Sequence, residues 1–250
     1  MSGHSKWATI KRQKGKADAA RGKLFNRLIR EISIAARQGG GDPEGNPRLR
    51  SAIATARGNN MPNKNIDNAI AKGTGQIAGV TYEEAMLEGY GPGGVAVLVE
   101  LTTDNRNRTV AEVRHVFTKA GGNLGAGNSV AWMFASKGII RVPKENADEE
   151  SLMEIALEAG ADDMVLDGDT FEISTEPPAF ESVREALEKA GVKPESAELT
   201  KIPENTVKVE GETAARVLKM LEMLDELDDT QRVYSNFEMS DADMQAYGNG

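Results

Sequence analysis

Up to Ile77 the apolar residues recur at helical spacing, whereas from Gly94 they run together, as in GVAVLVEL (94–101), and this change of period divides the chain into a helical part and a sheet-bearing part. Three helices are expected in the first part. GKLFNRLIREISIAARQ (22–38) places Leu24, Phe25, Leu28, Ile29, Ile32, Ala35 and Ala36 in one arc about 140° wide, with Lys23, Arg27, Arg30 and Arg37 opposite. NPRLRSAIATARG (46–58) offers Asn46 as N-cap, Pro47 at the first helical position and Gly58 as a left-handed stop. MPNKNIDNAIAKG (61–73) starts at Pro62 and is expected to terminate at Gly73. The apolar stripes are narrow, so these helices make a compact but marginal unit. The first 20 residues carry no core pattern and are expected to form a mobile arm.

In the second part, GVAVLVEL is followed by a helix from about Arg108 to the Gly121-Gly122 pair and by SVAWMFA (129–135), expected as a strand. Next come the strand GIIRVP, the helix DEESLMEIALEAG, a hairpin of DMVL and TFEIST about Asp167-Gly168, the helix AFESVREALEKAG and the strand SAELTKIP. That order, β-α-β-β-α-β, is the ferredoxin-like pattern. The tail adds TVKVE, TAARVLKMLEMLDELD and VYSNFEM, which complete a second such set with the segments before Ser136. The expected fold is α+β (mixed α/β): a helical N-terminal domain (1–78, with the arm), a discontinuous ferredoxin-like domain (79–136 plus 204–250), and a ferredoxin-like domain inserted in it (137–203). Two consecutive units, the last truncated, are the alternative.

Charge is divided along the same line. Residues 1–77 hold 15 Lys or Arg against 5 Asp or Glu, although the whole chain carries a formal net charge of -9. A basic module on an acidic body fits a polyanion-binding face on a carrier that repels polyanions elsewhere. The absence of cysteine excludes disulfides, thiolate metal sites and thiol nucleophiles. No apolar run approaches the roughly 18 residues of a membrane span, and no apolar h-region follows the basic start. A soluble, cytoplasmic chain with no membrane partner is expected.

The motifs speak against catalysis. GYGPGG (89–94) matches G-x-G-x-x-G, but it precedes a strand and contains Pro92, so it reads as a tight interdomain turn. In TTDNRNRT (102–109), Thr109 and Glu112 fit a capping box, and Arg106 and Arg108 stand at a helix N-terminus where cations are disfavoured. Such a placement suggests phosphate binding or an acidic neighbour to be anchored. GGNLGAGNSV (121–130) reads as an adaptable loop, and the acids from Glu222 to Asp229 as a solvated helix face. His4 and His115 lie in no cluster with metal-ligand spacing. No catalytic residue, metal site or cofactor is expected.

GHSKW (3–7), RGKLF (21–25), GGGDPEGNPRLR (39–50), NNMP (59–62), EGYGPGGVAV (88–97) and DNRNRT (104–109) together resemble the YebC/PmpR family across essentially the whole chain. The resemblance implies three domains, a helical one and two α/β ones, and no catalytic residues to carry over. It implies DNA binding in transcriptional control and, in some members, ribosome binding that relieves stalling on proline-rich sequences. A nucleic-acid-binding regulator of gene expression is therefore expected, with DNA and/or ribosomal or transfer RNA as partner. Candidate phosphate contacts are Lys6, Lys11, Arg12, Lys14, Lys16, Arg21, Lys23, Arg27, Arg30, Arg48, Arg50, Arg106 and Arg108, with Trp7 able to stack on a base. The connector GGGDPEGNP is longer than a helix-turn-helix turn, which favours RNA or shape readout.

Overall fold

Residues 17–240 are described by the computed structural model; the arm residues Lys6, Trp7, Lys11, Arg12, Lys14 and Lys16 lie outside them. Helix α1 (Ala17–Gly39) starts five residues earlier than its apolar pattern. Helix α2 (Pro47–Gly58) begins as expected, with the Asn46 side chain accepting from the Leu49 amide at 3.1 Å. Helix α3 (Asn63–Gly73) follows Pro62. Gly73 ends α3 as expected, but Gly58 is the last helical residue of α2 and not a left-handed stop; the left-handed positions fall at Asn60 and Gly75. Gly73 serves close approach, since a Cβ there would stand 2.3 Å from the Ser33 carbonyl oxygen. The Ser33 hydroxyl, 3.1 Å from the Ala69 carbonyl, ties α1 to α3 at the same crossing. Leu28, Ile32, Ala35 and Ala36 then bury against Leu49, Ile53, Ala56, Met61 and Ile66 in a core of the helical unit's own.

The next unit opens with a strand that the sequence pattern did not reveal. Strand β1 (Glu83–Tyr90) pairs antiparallel with β2 (Ala96–Thr103), so GYGPGG closes a hairpin within one sheet rather than joining domains. Gly93 and Gly94 take positive φ in that turn, a conformation that L side chains resist. Helix α4 (Arg106–Ala120) follows, capped by Asn105, whose side chain accepts from the Arg108 amide at 3.1 Å; Asn105 thus replaces the expected Thr109 capping box. A two-residue strand, β3 (Asn123–Leu124), pairs with the end of β1. SVAWMFA is not a strand of this sheet: Ala131–Met133 form a 3-10 turn, and β4 (Phe134–Pro143) begins at Phe134 and belongs to the inserted unit.

The inserted unit runs β4, α5 (Glu149–Glu158), β5 (Asp163–Asp167), β6 (Thr170–Thr175), α6 (Phe180–Lys189) and β7 (Ser196–Pro203), with sheet order β5-β6-β4-β7. That is the ferredoxin-like arrangement, its two central strands being the first and third of the unit. The chain then returns through β8 (Val207–Lys208), α7 (Gly211–Glu226), β9 (Thr230–Ser235) and β10 (Phe237–Glu238). Strand β9 pairs with β2, giving the outer sheet order β3-β1-β2-β9, while β8 and β10 form a parallel pair. Helices α4 and α7 bury Val113, Phe117, Val217, Leu218 and Leu221 on one face of the outer sheet. Val130 and Phe134 cover the other face, packing with Ala96, Leu98 and Tyr234 of the sheet. Two covered faces explain why β2, alternating Val97 and Val99 with Ala96 and Leu98, reads as one apolar run.

Candidate nucleic-acid interface

The cations of α1 meet acceptors within the protein. Lys23 Nζ donates to the Glu226 carbonyl at 2.9 Å. Arg27 donates to the Asp225 carbonyl and pairs with the Asp225 carboxylate at 3.2 Å. Arg30 donates to the carbonyls of Asp228 and Thr102, pairs with Asp229 Oδ1 at 2.9 Å, and stands 5.4 Å from the centre of the Tyr82 ring. The basic face is thus turned to the C-terminal end of α7, where carbonyls outside the intrahelical hydrogen-bond ladder and the helix dipole make a negative potential. Of the acids expected as a solvated face, Glu226 and Asp228 are exposed and offer the α1 cations their backbone carbonyls, whereas the carboxylates of Asp225 and Asp229 receive Arg27 and Arg30, and Asp229 is only 1% exposed.

Asp229 is held from both sides. Its Oδ2 accepts from the Thr103 hydroxyl at 2.9 Å, the Thr109 hydroxyl at 2.5 Å and Arg108 Nη2 at 2.7 Å, while Oδ1 faces Arg30. Burial pushes this carboxyl up, but the Thr109, Arg108 and Thr103 hydrogen bonds and the Arg30 charge outweigh it and hold it below its ordinary value of 3.8. Arg108 also pairs with Asp104 at 2.7 Å. Of the two uses suggested by DNRNRT, Arg108 anchors acidic neighbours; Arg106 is exposed at the start of α4.

Arg48 is committed as well. It makes a two-pronged contact with Glu31, at 2.7 and 3.0 Å, and reaches Glu84 of β1 at 2.6 Å and the Gln38 amide oxygen at 2.8 Å. The Arg48 hydrogen bond is the main reason the Glu84 carboxyl lies below its usual range. Arg50 donates to the carbonyls of Pro43 and Glu44 at 3.2 and 3.3 Å with its side chain exposed. Arg21, at the start of α1, is exposed, as are Arg57 and Lys64, two cations of the helical unit outside the sequence motifs.

Glu88 is the other residue the sequence concealed. It is 5% exposed, and its carboxylate accepts from the amides of Asn128, Val130 and Ala131, the last two at 2.7 Å. The glycine-rich loop therefore wraps an internal anion, and it presents Trp132, 65% exposed, on the outside. The Ser129 carbonyl accepts from both Trp132 and Tyr90. Burial raises the Glu88 pKa, but the amides of Val130, Ala131 and Asn128 bring it below the ordinary 4.5. The stabilisation is therefore present above about pH 4.5 and lost as pH falls through the lower folded value. Replacing Glu88 by Gln is expected to cost about 2 kcal/mol at neutral pH, because a carboxamide turns a donor towards these amides. In urea melts across pH, the variant should lose less stability than the parent as pH falls below the ordinary carboxylate value of 4.5; equal acid sensitivity in both would show that Glu88 does not contribute to it.

Among the described residues no helix is long and apolar enough to cross a membrane, and no group of three His, Asp or Glu side chains is placed to hold a metal ion. Residues 5–76 match the TACO1/YebC protein N-terminal domain, and residues 82–237 match the TACO1/YebC second and third domain. A protein of Acidobacterium capsulatum named "Probable transcriptional regulatory protein" is 59% identical over 239 residues, covering 96% of this chain and 97% of its own length. One of the same name from Geotalea uraniireducens is 56% identical over 244 residues, covering 98% of each. The crystal structure of a conserved hypothetical protein from Aquifex aeolicus superposes with a TM-score of 0.82 at 53% identity, over 90% of this chain and 93% of that one. With matches running through both the helical and the sheet-bearing parts, the chain belongs to the TACO1/YebC family.

Proposed function

We propose that the protein is a nucleic-acid-binding regulator of gene expression in the cytoplasm, and not an enzyme, with residues 1–78 as the binding domain and 79–136 plus 204–250, carrying the insert 137–203, as its acidic carrier. The observation that carries this reading is the charge division, 15 basic against 5 acidic residues before Ala78 in a chain of net charge -9. The regulator names of relatives more than 50% identical support it. The proposed phosphate contacts are the arm residues Lys6, Lys11, Arg12, Lys14 and Lys16, continued by the exposed Arg21, Arg50 and Arg106. Arg48 and Arg108 serve chiefly as internal ties. Trp7 supplies a ring for stacking on an unpaired base.

DNA binding in transcription is the first form of this reading. RNA or the ribosome, in translation, is the second, and the seven residues 40–46 between α1 and α2 favour it, being too many for a helix-turn-helix turn of 3 to 4. Binding of the full chain to duplex DNA, transfer RNA and intact ribosomes across a salt series tests both. On duplex DNA the logarithm of affinity should fall against the logarithm of salt with slope about -0.9 per phosphate contacted. The tighter target at equal salt chooses between the two forms. Failure to bind any of the three in a salt-dependent way overturns the reading.

A further inference from the structure

The seam between the helical unit and the outer sheet unit is built from polar groups. Lys23, Arg27 and Arg30 meet the end of α7, Arg37 donates to the Tyr82 carbonyl at 3.1 Å, and Gln38 and Arg48 meet Glu84. The apolar core of the helical unit and that of the outer sheet share no residue. Units joined by such polar seams move relative to one another unless something holds them. Most of the connecting segment 75–81 is exposed.

The acceptors on the α7 side are carbonyl oxygens at a helix C-terminus and the carboxylates of Asp225 and Asp229. They give three cations spaced four and three residues apart the ligands that phosphodiester oxygens would give. We propose that the end of α7 is an internal polyanion stand-in covering a second nucleic-acid surface, Lys23, Arg27 and Arg30, and that a nucleic-acid backbone displaces it and opens the seam. The proposal rests on the nucleic-acid reading above and adds its regulation. Displacement is an exchange of like for like: each cation trades one anionic partner for another, and the polyanion alone brings counterion release. Asp229 is built for the exchange. Thr103, Thr109 and Arg108 hold Oδ2 within the outer unit, so opening frees only Oδ1. A polyanion thus meets the arm and the exposed cations first, and the α1 face is added when the seam gives way.

The chain has no cysteine, so a spin-label pair at Ser51→Cys on α2 and Thr118→Cys on α4, both exposed, reads the distance across the seam in the full protein. Saturating heparin, duplex DNA or transfer RNA should lengthen that distance, by about 5 Å or more for displacement of long side chains. Asp225→Asn with Asp228→Asn should raise heparin affinity about fivefold, whereas Glu154→Gln with Glu158→Gln, the same charge change on exposed α5 positions, should raise it less than about twofold. An unchanged distance with polyanion bound, or equal gains from the two double variants, overturns the proposal. Heparin that opens the seam while DNA, RNA and ribosomes fail to bind leaves the stand-in in place and sinks the nucleic-acid reading. No binding of any polyanion overturns both.

Discussion

Replacing Asp229 by Asn is expected to lower the unfolding free energy by about 3 kcal/mol or more, read as a shift of the urea midpoint at unchanged slope. The residue is 1% exposed, and its carboxylate accepts from the hydroxyls of Thr103 and Thr109 and the Arg108 guanidinium and is ion-paired with Arg30. An amide keeps the shape but turns its NH2 towards one of them and leaves Arg30, 15% exposed at its side chain, without the charge that balances it. Asp225→Asn is the internal comparison. That pair, each side chain 16% exposed, should cost about 1 kcal/mol or less, since Arg27 retains the Asp225 carbonyl. Because the Asp229 carboxyl sits below 3.8 in the folded protein, its contribution is full above that pH and disappears as pH falls through the folded value. The gap between parent and Asp229→Asn should therefore close in acid. A midpoint within error of the parent at pH 7 would show that Asp229 does not join the units.

Legibility in the sequence follows how far apart the interacting residues lie. The N-cap of α2, the turn at Gly168 and the inserted β-α-β-β-α-β order are written within short windows and match the structure. Strand β1 escaped because EEAMLEGY carries three glutamates, one of which, Glu88, points inward to the loop amides from a strand neighbouring Val97 and Val99. SVAWMFA misled for the opposite reason. Its apolar residues are needed to cover a sheet face, and an apolar run alone does not distinguish a strand from a covering turn. Asp229 had no local signal, since its partners lie at Arg30, Thr103, Arg108 and Thr109. Only the awkward cation at the start of α4 pointed to it. Periodicity also placed Lys23, Arg27 and Arg30 on the polar side of α1 without showing that an acidic helix end occupies that side.

The arm is where the largest effect on binding is expected. With Lys11, Arg12, Lys14 and Lys16 all replaced by Ala, the salt slope on duplex DNA should become shallower by about 3.6, at about 0.9 for each phosphate no longer neutralised. At 0.1 M salt this corresponds to an affinity lower by on the order of a thousandfold, with the difference vanishing towards 1 M. Residues 1–20 hold five Lys or Arg and one acid and have no apolar pattern that a core could use, so the substitutions should leave the unfolding midpoint in place. Arg48→Ala gives the reverse pattern. Its guanidinium is bound to Glu31, Gln38 and Glu84, so stability should fall while the slope stays nearly constant. A fourfold arm variant with the parent's slope would move the primary binding surface to Arg21 and Arg50, both exposed on the helical unit. The charge division would then mark the folded helical unit, and not the arm, as the element that reaches the phosphates first.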